Sequence, residues 1–260
     1  MRTRTAHLTF PELIGQVDEV LARCAAAGVA RVITVGTDLA DAASAIALAR
    51  RYPGHVHAGV GFHPHHADPV TEADLHAMAG LWDDPAVVAA GEMGLDYHYE
   101  FADRAKQRTV FSRQLALCSS RDLPIVIHCR EALDDALPIL LDHGYRDRRV
   151  VFHCFTGSAE EAGRIAEHGW RISFTGIVTF PKSGWLQEIA KRYPADQLMV
   201  ETDSPYLSPV PFRGKPPNEP ARVAYTARFL AELRGVEYDS FTCDVGRNTV
   251  AFFQLPALPH

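Results

Sequence analysis

The sequence has no Cys-x-x-Cys pair, and its five cysteines are an odd number. Neither a disulfide framework nor a cysteine zinc site is therefore expected, and the thiols are read as reduced. No apolar run approaches the length of a membrane span, and Met1-Arg2-Thr3-Arg4 lacks the apolar segment of a signal peptide. These absences point to a cytoplasmic protein with no membrane partner. An excess of positive charge is also lacking: the net charge of −6 argues against a protein that coats nucleic acid, but leaves room for an enzyme that holds a few phosphates. No Gly-x-Gly-x-x-Gly follows the first apolar run, which weakens the case for an open, doubly wound sheet. With no Ser/Gly/Pro-rich linker or composition shift, residues 1–260 are read as one domain.

What is present is a 47% hydrophobic, 22% charged chain, able to bury a substantial core. Short apolar runs alternate with amphipathic segments from end to end. Eight runs read as strands: Thr3–Leu8, Arg31–Gly36, Val56–Gly61, Val87–Gly91, Pro124–His128, Arg149–His153, Trp170–Phe174 and Leu198–Glu201. Helices are expected at Val17–Ala27, Ala40–Arg50, Ala105–Ser119, Ala132–His143 and Ala159–Glu167, with a final one near Arg222–Leu233. Eight such units in this length predict an α/β fold, a (β/α)8 TIM-like barrel. The first run is its weakest member, because Arg2 and Arg4 alternate with Thr3 and Thr5 where a strand covered on both faces should be apolar. Asp96 and Tyr97 are assigned to the loop after the fourth strand.

Polar residues recur at strand C-termini, the face on which barrel active sites are built. They are His7, His63, Glu92, His128, His153 and Asp203. His128 and His153 each share a strand face with the residue two before, Val126 or Val151, and so should sit above an apolar layer and point into the mouth. Histidines and carboxylates gathered at one mouth need a cation to offset the cost of burying them together. Imidazole and carboxylate without thiolate suit Zn or Mn, and carboxylate-rich variants admit Mg. Cys129 and Cys154 each follow a ligand candidate, so alternation turns them away as core-packing thiols.

With a divalent ion placed, hydrolysis is the natural chemistry. Glu92 has two oxygens with which to bridge two ions, and Asp203 is placed to accept a proton from water, so both are candidate catalytic residues. Glu201, on the face of Asp203 but below it, needs a partner or a proton. His63 and His65 in Gly61-Phe62-His63-Pro64-His65-His66, with Arg130, are candidate substrate-binding donors for an anion, and His66, Arg213 and Lys215 are weaker ones.

Read in order, Gly61-Phe62-His63-Pro64-His65, Gly91-Glu92-Met93-Gly94-Leu95-Asp96-Tyr97, Ile127-His128-Cys129-Arg130-Glu131, His153-Cys154-Phe155-Thr156-Gly157 and Glu201-Thr202-Asp203-Ser204-Pro205-Tyr206-Leu207 resemble the signatures of the TatD family of metal-dependent deoxyribonucleases. So do Arg213-Gly214-Lys215 and Asn218-Glu219-Pro220. The resemblance implies a barrel holding one or two divalent ions and cleaving phosphodiester bonds in DNA, single-stranded or at ends, as a 3′-to-5′ exonuclease with no obligate protein partner. It implies His128 and His153 on one ion, His7 and Asp203 on the other, and Glu92 between them. Where the family has Asp-x-His-x-His this chain has Thr3-Arg4-Thr5-Ala6-His7. The His7/Asp203 site is then one ligand short, and is expected to be weaker than the Glu92/His128/His153 site. Two other outcomes are compatible with the pattern: ester hydrolysis such as D-aminoacyl-tRNA deacylation, and a barrel kept only for binding.

Overall fold

The computed structural model describes residues 3–256, with backbone only for Thr3–Thr5. Eight parallel strands follow one another in chain order: β1 (Thr3–Ala6), β2 (Arg31–Gly36), β3 (Val56–Val60), β4 (Val87–Asp96), β5 (Ile125–Arg130), β6 (Val150–Phe152), β7 (Arg171–Phe174) and β8 (Leu198–Val200). The ring closes just beyond β8, where Ala6 and Ser204 form a parallel bridge and His7 N donates to Ser204 O at 2.8 Å. Outside it run α1 (Pro11–Ile14), α2 (Val17–Ala26), α3 (Leu39–Arg51), α4 (Glu72–Leu81), α5 (Arg104–Cys118), α6 (Leu133–Asp142), α7 (Ala159–Glu167), α8 (Gly184–Arg192), α9 (Val223–Arg234) and α10 (Tyr238–Phe253). The expected (β/α)8 barrel is thus present. No helix among the described residues is long and apolar enough to cross a membrane.

Most of the strands from β2 on are apolar on both faces because each face meets a core. Outward side chains pack under the helices, while Ile33, Ala89, Val126, Val151 and Met199 form a separate interior cluster. That cluster is completed by Phe252, Phe253 and Leu255, brought in by the end of α10. Ile33, Ala89 and Val126 lie in the first half of their strands and Val151 and Met199 at the middle of theirs, so α10 fills the floor and the mouth stays open at the other end.

α4, α8 and α10 do not stand out in the sequence, and the helix near Arg222–Leu233 is not the last one. α10 shows why: Thr242, Thr249, Val250, Gly246 and Asn248 are all poor helix formers. Its helicity comes from tertiary burial of Phe241, Val245, Thr249 and Phe252, spaced along one face.

The larger correction concerns β4. It does not stop at Gly91 but runs ten residues, pairing Met93 with Ile127, Gly94 with His128, Leu95 with Cys129 and Asp96 with Arg130. The ladder slips between Ala90 and Met93, where the Gly91–Glu92 peptide is cis. Asp96 is therefore a strand residue, fully buried, and not part of the following loop.

Candidate metal centre

Glu92 lies on β4 and His128 on β5, while His153 and His63 follow the last residues of β6 and β3. Their side chains meet at one atom. Glu92 Oε1 lies 2.6 Å from His153 Nε2, 2.8 Å from His128 Nδ1 and 3.2 Å from His63 Nε2. The carboxylate is only 3% exposed. Burial disfavours its charge, but the positive field of His153 and the hydrogen bonds from His128 and His153 outweigh that and hold it well below the usual carboxylate range.

Each histidine of this group is gripped from behind. His128 Nε2 donates to Asp96 Oδ2 at 2.8 Å, and His65 Nε2 reaches the same oxygen at 2.9 Å. Against the opposing effect of burial, the bonds to Asp96 and Glu92 raise the pKa of His128. His153 Nδ1 faces Glu201 Oε1 at 3.6 Å, and the two carboxylates raise its pKa well above the ordinary value although burial acts the other way. Glu201 itself accepts from Ser173 Oγ at 2.5 Å and from Cys154 N at 2.6 Å, the partners its sequence position required. His63 differs: Nδ1 accepts from His65 N at 3.1 Å, and burial together with the nearby charge of His128 lowers its pKa to about 3. It is a neutral ring whose Nε2–H faces the cluster.

Across the mouth, His7 Nδ1 donates to Val35 O at 3.3 Å, which leaves Nε2 facing Asp203 Oδ1 at 3.5 Å. The His7 ring stacks on Phe10 at 4.7 Å. Among the described residues, the clusters of three donors compact enough for one ion are Glu92/His128/His153 and His63/His65/His128; His7 and Asp203 join neither. The side chain of Thr5 lies outside the described residues.

The donor set fits a divalent cation. Ligand atoms around an ion at about 2.1 Å stand roughly 3.0 Å apart in octahedral and 3.4 Å apart in tetrahedral coordination, and the nitrogens around Glu92 Oε1 lie near that separation, 2.6–3.2 Å from it. Neutral imidazole and carboxylate are the ligands that Zn, Mn and related ions accept. Asp96 and Glu201 complete the pattern, because a ligating histidine is oriented by a carboxylate on its other nitrogen.

These groups lie at the base of a cavity of about 1270 Å³ whose wall includes His7, Asp203, His65, Arg130, Tyr99, Phe101, Trp185 and Tyr206. Arg130 places its guanidinium over the Tyr99 ring, 4.9 Å from the centroid. Arg213 instead covers Phe180 at 4.4 Å, and neither it nor Lys215 lines the cavity. His66 Nδ1 turns to Thr37 O at 3.2 Å.

Cys129 and Cys154 are half-buried and both reach this cavity; Cys129 also packs against the outer core as alternation predicts, whereas Cys154 departs from it. β6 ends at Phe152, and Cys154 adopts φ 46° beyond it, so the strand period no longer sets its direction. Neither thiol is activated: burial pushes Cys129 up to about 12 and Cys154 well above its ordinary value.

Asp96 is the residue that the sequence reading left out. Its signal was present, since a two-residue period puts positions 92, 94 and 96 on one face, but only for a strand carried past Gly91. Asp96→Asn is expected to weaken metal binding at Glu92/His128/His153 by roughly 10- to 100-fold, as read by competition with a chromophoric chelator. Unchanged affinity would show that Asp96 does not orient His128.

The sequence pattern of the TatD-related DNases matches residues 4–254 of the chain. The chain belongs to the TatD-related DNase family. By that membership it is a metal-dependent hydrolase of ester bonds. Its TatD relatives include the metal-dependent hydrolase YabD of Bacillus subtilis, 38% identical over 250 residues, covering 96% of this chain and 97% of that one. The 3′-5′ ssDNA/RNA exonuclease TatD of Erwinia tasmaniensis is 33% identical over 253 residues, covering 96% and 98%. Among solved structures, the TatD homologue YjjV of Escherichia coli superposes with a TM-score of 0.92 at 29% identity, covering 98% of each chain.

Proposed function

We propose that this TatD-family chain is a divalent-metal-dependent deoxyribonuclease, one domain over residues 1–260, that shortens single-stranded DNA from its 3′ end in the cytoplasm. The observation that carries the reading is the convergence of three imidazole nitrogens on Glu92 Oε1 at the base of a wide cavity. At about 1270 Å³ it exceeds the roughly 300–1,000 Å³ of a small-ligand site, as a polymer end requires. The name of the Erwinia relative supports the polarity and the single strand. Five unpaired cysteines suit a reducing compartment.

In this reading Glu92, His128 and His153 hold one ion tightly, and His7 with Asp203 hold a second more weakly, sharing Glu92. A bound divalent cation supplies Lewis acidity toward a phosphoryl oxygen and makes water a better acid. The chain's own residues do the rest. Asp203, partly open to the cavity, takes the proton of the attacking water, and Glu92 keeps the ligand nitrogens together. His63, His65 and Arg130 offer N–H donors to the phosphate oxygens and hold the strand end in line.

The test is hydrolysis of 5′-labelled single-stranded DNA with Mg, Mn or Zn, alongside metal analysis of the purified protein. A ladder shortened from the 3′ end, abolished by chelator, is expected, with one tight ion per chain. Internal cuts alone would remove the exonuclease assignment. No cleavage with any of the metals would overturn the nuclease reading, and two equally tight ions would overturn the asymmetry.

A further inference from the structure

Phe101 and Tyr99 are 63% and 42% exposed on the wall of the cavity. Exposed aromatic surface on the wall of a cavity marks a contact site. The two rings are stacked, 5.3 Å apart at 30°, with the Arg130 guanidinium 4.9 Å from the Tyr99 centroid and His65 edge-on to Phe101 at 4.8 Å. Tyr99 is thus partly covered by Phe101 and Arg130, whereas Phe101 is the more exposed of the two.

The segment that carries these rings is held at both ends. Asp96 Oδ1 accepts from His98 N and Tyr99 N, each at 3.0 Å. Asp103 N donates to Asp68 Oδ1 at 2.9 Å, and the Asp103 side chain caps α5 through Ala105 N and Lys106 N. Arg104 Nη2 reaches back to Tyr97 O at 3.0 Å. An exposed ring on a fixed loop is a platform whose ordering cost is met before a ligand arrives. It is also fixed relative to the hydrolytic centre, because the other oxygen of Asp96 holds His65 and His128.

We infer that the open face of Phe101, backed by Tyr99 and Arg130, is a stacking subsite for the nucleobase attached to the phosphate being cleaved. The inference rests on the phosphodiesterase reading and adds to it the part of the substrate recognised beside the phosphate. A π-face accepts any base, so the subsite selects for the presence of a base and not for its identity. Arg130 alongside supplies the cation that a phosphate-linked ligand needs.

Calorimetric titration with a thymidine trinucleotide carrying non-hydrolysable phosphorothioate links, and with its abasic counterpart, separates base from phosphate. The wild type is expected to bind the thymidine strand roughly 5- to 100-fold more tightly than the abasic one. Phe101→Ala should collapse that ratio toward unity, and Phe101→Trp should restore it. Equal affinity of the wild type for both strands, binding of neither, or an undiminished ratio in Phe101→Ala would overturn the subsite. Base-dependent binding without cleavage of unmodified DNA under any metal would instead overturn the nuclease reading and leave Phe101 as a nucleotide-binding platform.

Discussion

Glu92→Ala is expected to lower hydrolysis by roughly a thousandfold or more, beyond the 10- to 100-fold of an outer carboxylate, and to remove the tight metal ion. The expectation follows from geometry: three nitrogens share one oxygen, at 2.6, 2.8 and 3.2 Å. A second readout does not depend on turnover. A ligand that binds only the folded chain stabilises it, by about 2.7 kcal/mol at a hundred times its dissociation constant. Mn²⁺ should therefore raise the melting temperature of the wild type and leave that of Glu92→Ala where it was. An equal metal-induced rise in both proteins would show that Glu92 is not needed to hold the ion.

Gly94→Ala should cause a large loss of stability. A Cβ built at Gly94 would stand 2.0 Å from His128 O and 3.0 Å from its carbonyl carbon, at a φ of +143°. Both are backbone atoms of the neighbouring strand, so relief requires separating β4 from β5. The cost is expected to exceed about 3 kcal/mol, a fall of roughly 6–12 °C in melting temperature for a chain of this size, or failure to yield folded protein. Gly163→Ala in α7 is the control, with nothing within 4 Å of the added atom. It should be neutral or stabilising by up to about 1 kcal/mol. Similar melting temperatures for the two variants would mean that β4 has room to move.

The two glycines beside Glu92 also explain what the sequence made legible. Glu92, His128 and His153 were readable because each ends an apolar run, and a polar side chain there has few places to go except the mouth. The barrel was readable because eight runs fit eight units. Asp96 was not, because Gly91 and Gly94 look like the end of a strand, whereas they let β4 pass close against β5 with its ladder slipped. His63 was legible as a polar residue near the mouth, but its contact with Glu92 depends on the loop after β3, where no period applies. α10 stayed hidden because its helical state is imposed by the floor it fills, not by its own residues.

That floor also has a place in time. Ile33 is made early in synthesis, while Phe252, Phe253 and Leu255, which cover it, are among the later residues to leave the ribosome. At roughly 5–20 residues per second the interval is on the order of tens of seconds. Throughout it the inner surface of the nascent barrel is open from below, and for most of it β1 has no Ser204 to close on. The growing chain therefore carries β1 as an unpaired edge until Ser204 arrives and an uncovered floor until α10 does, and a ribosome stalled before Ser204 holds a sheet ready to pair with a neighbour.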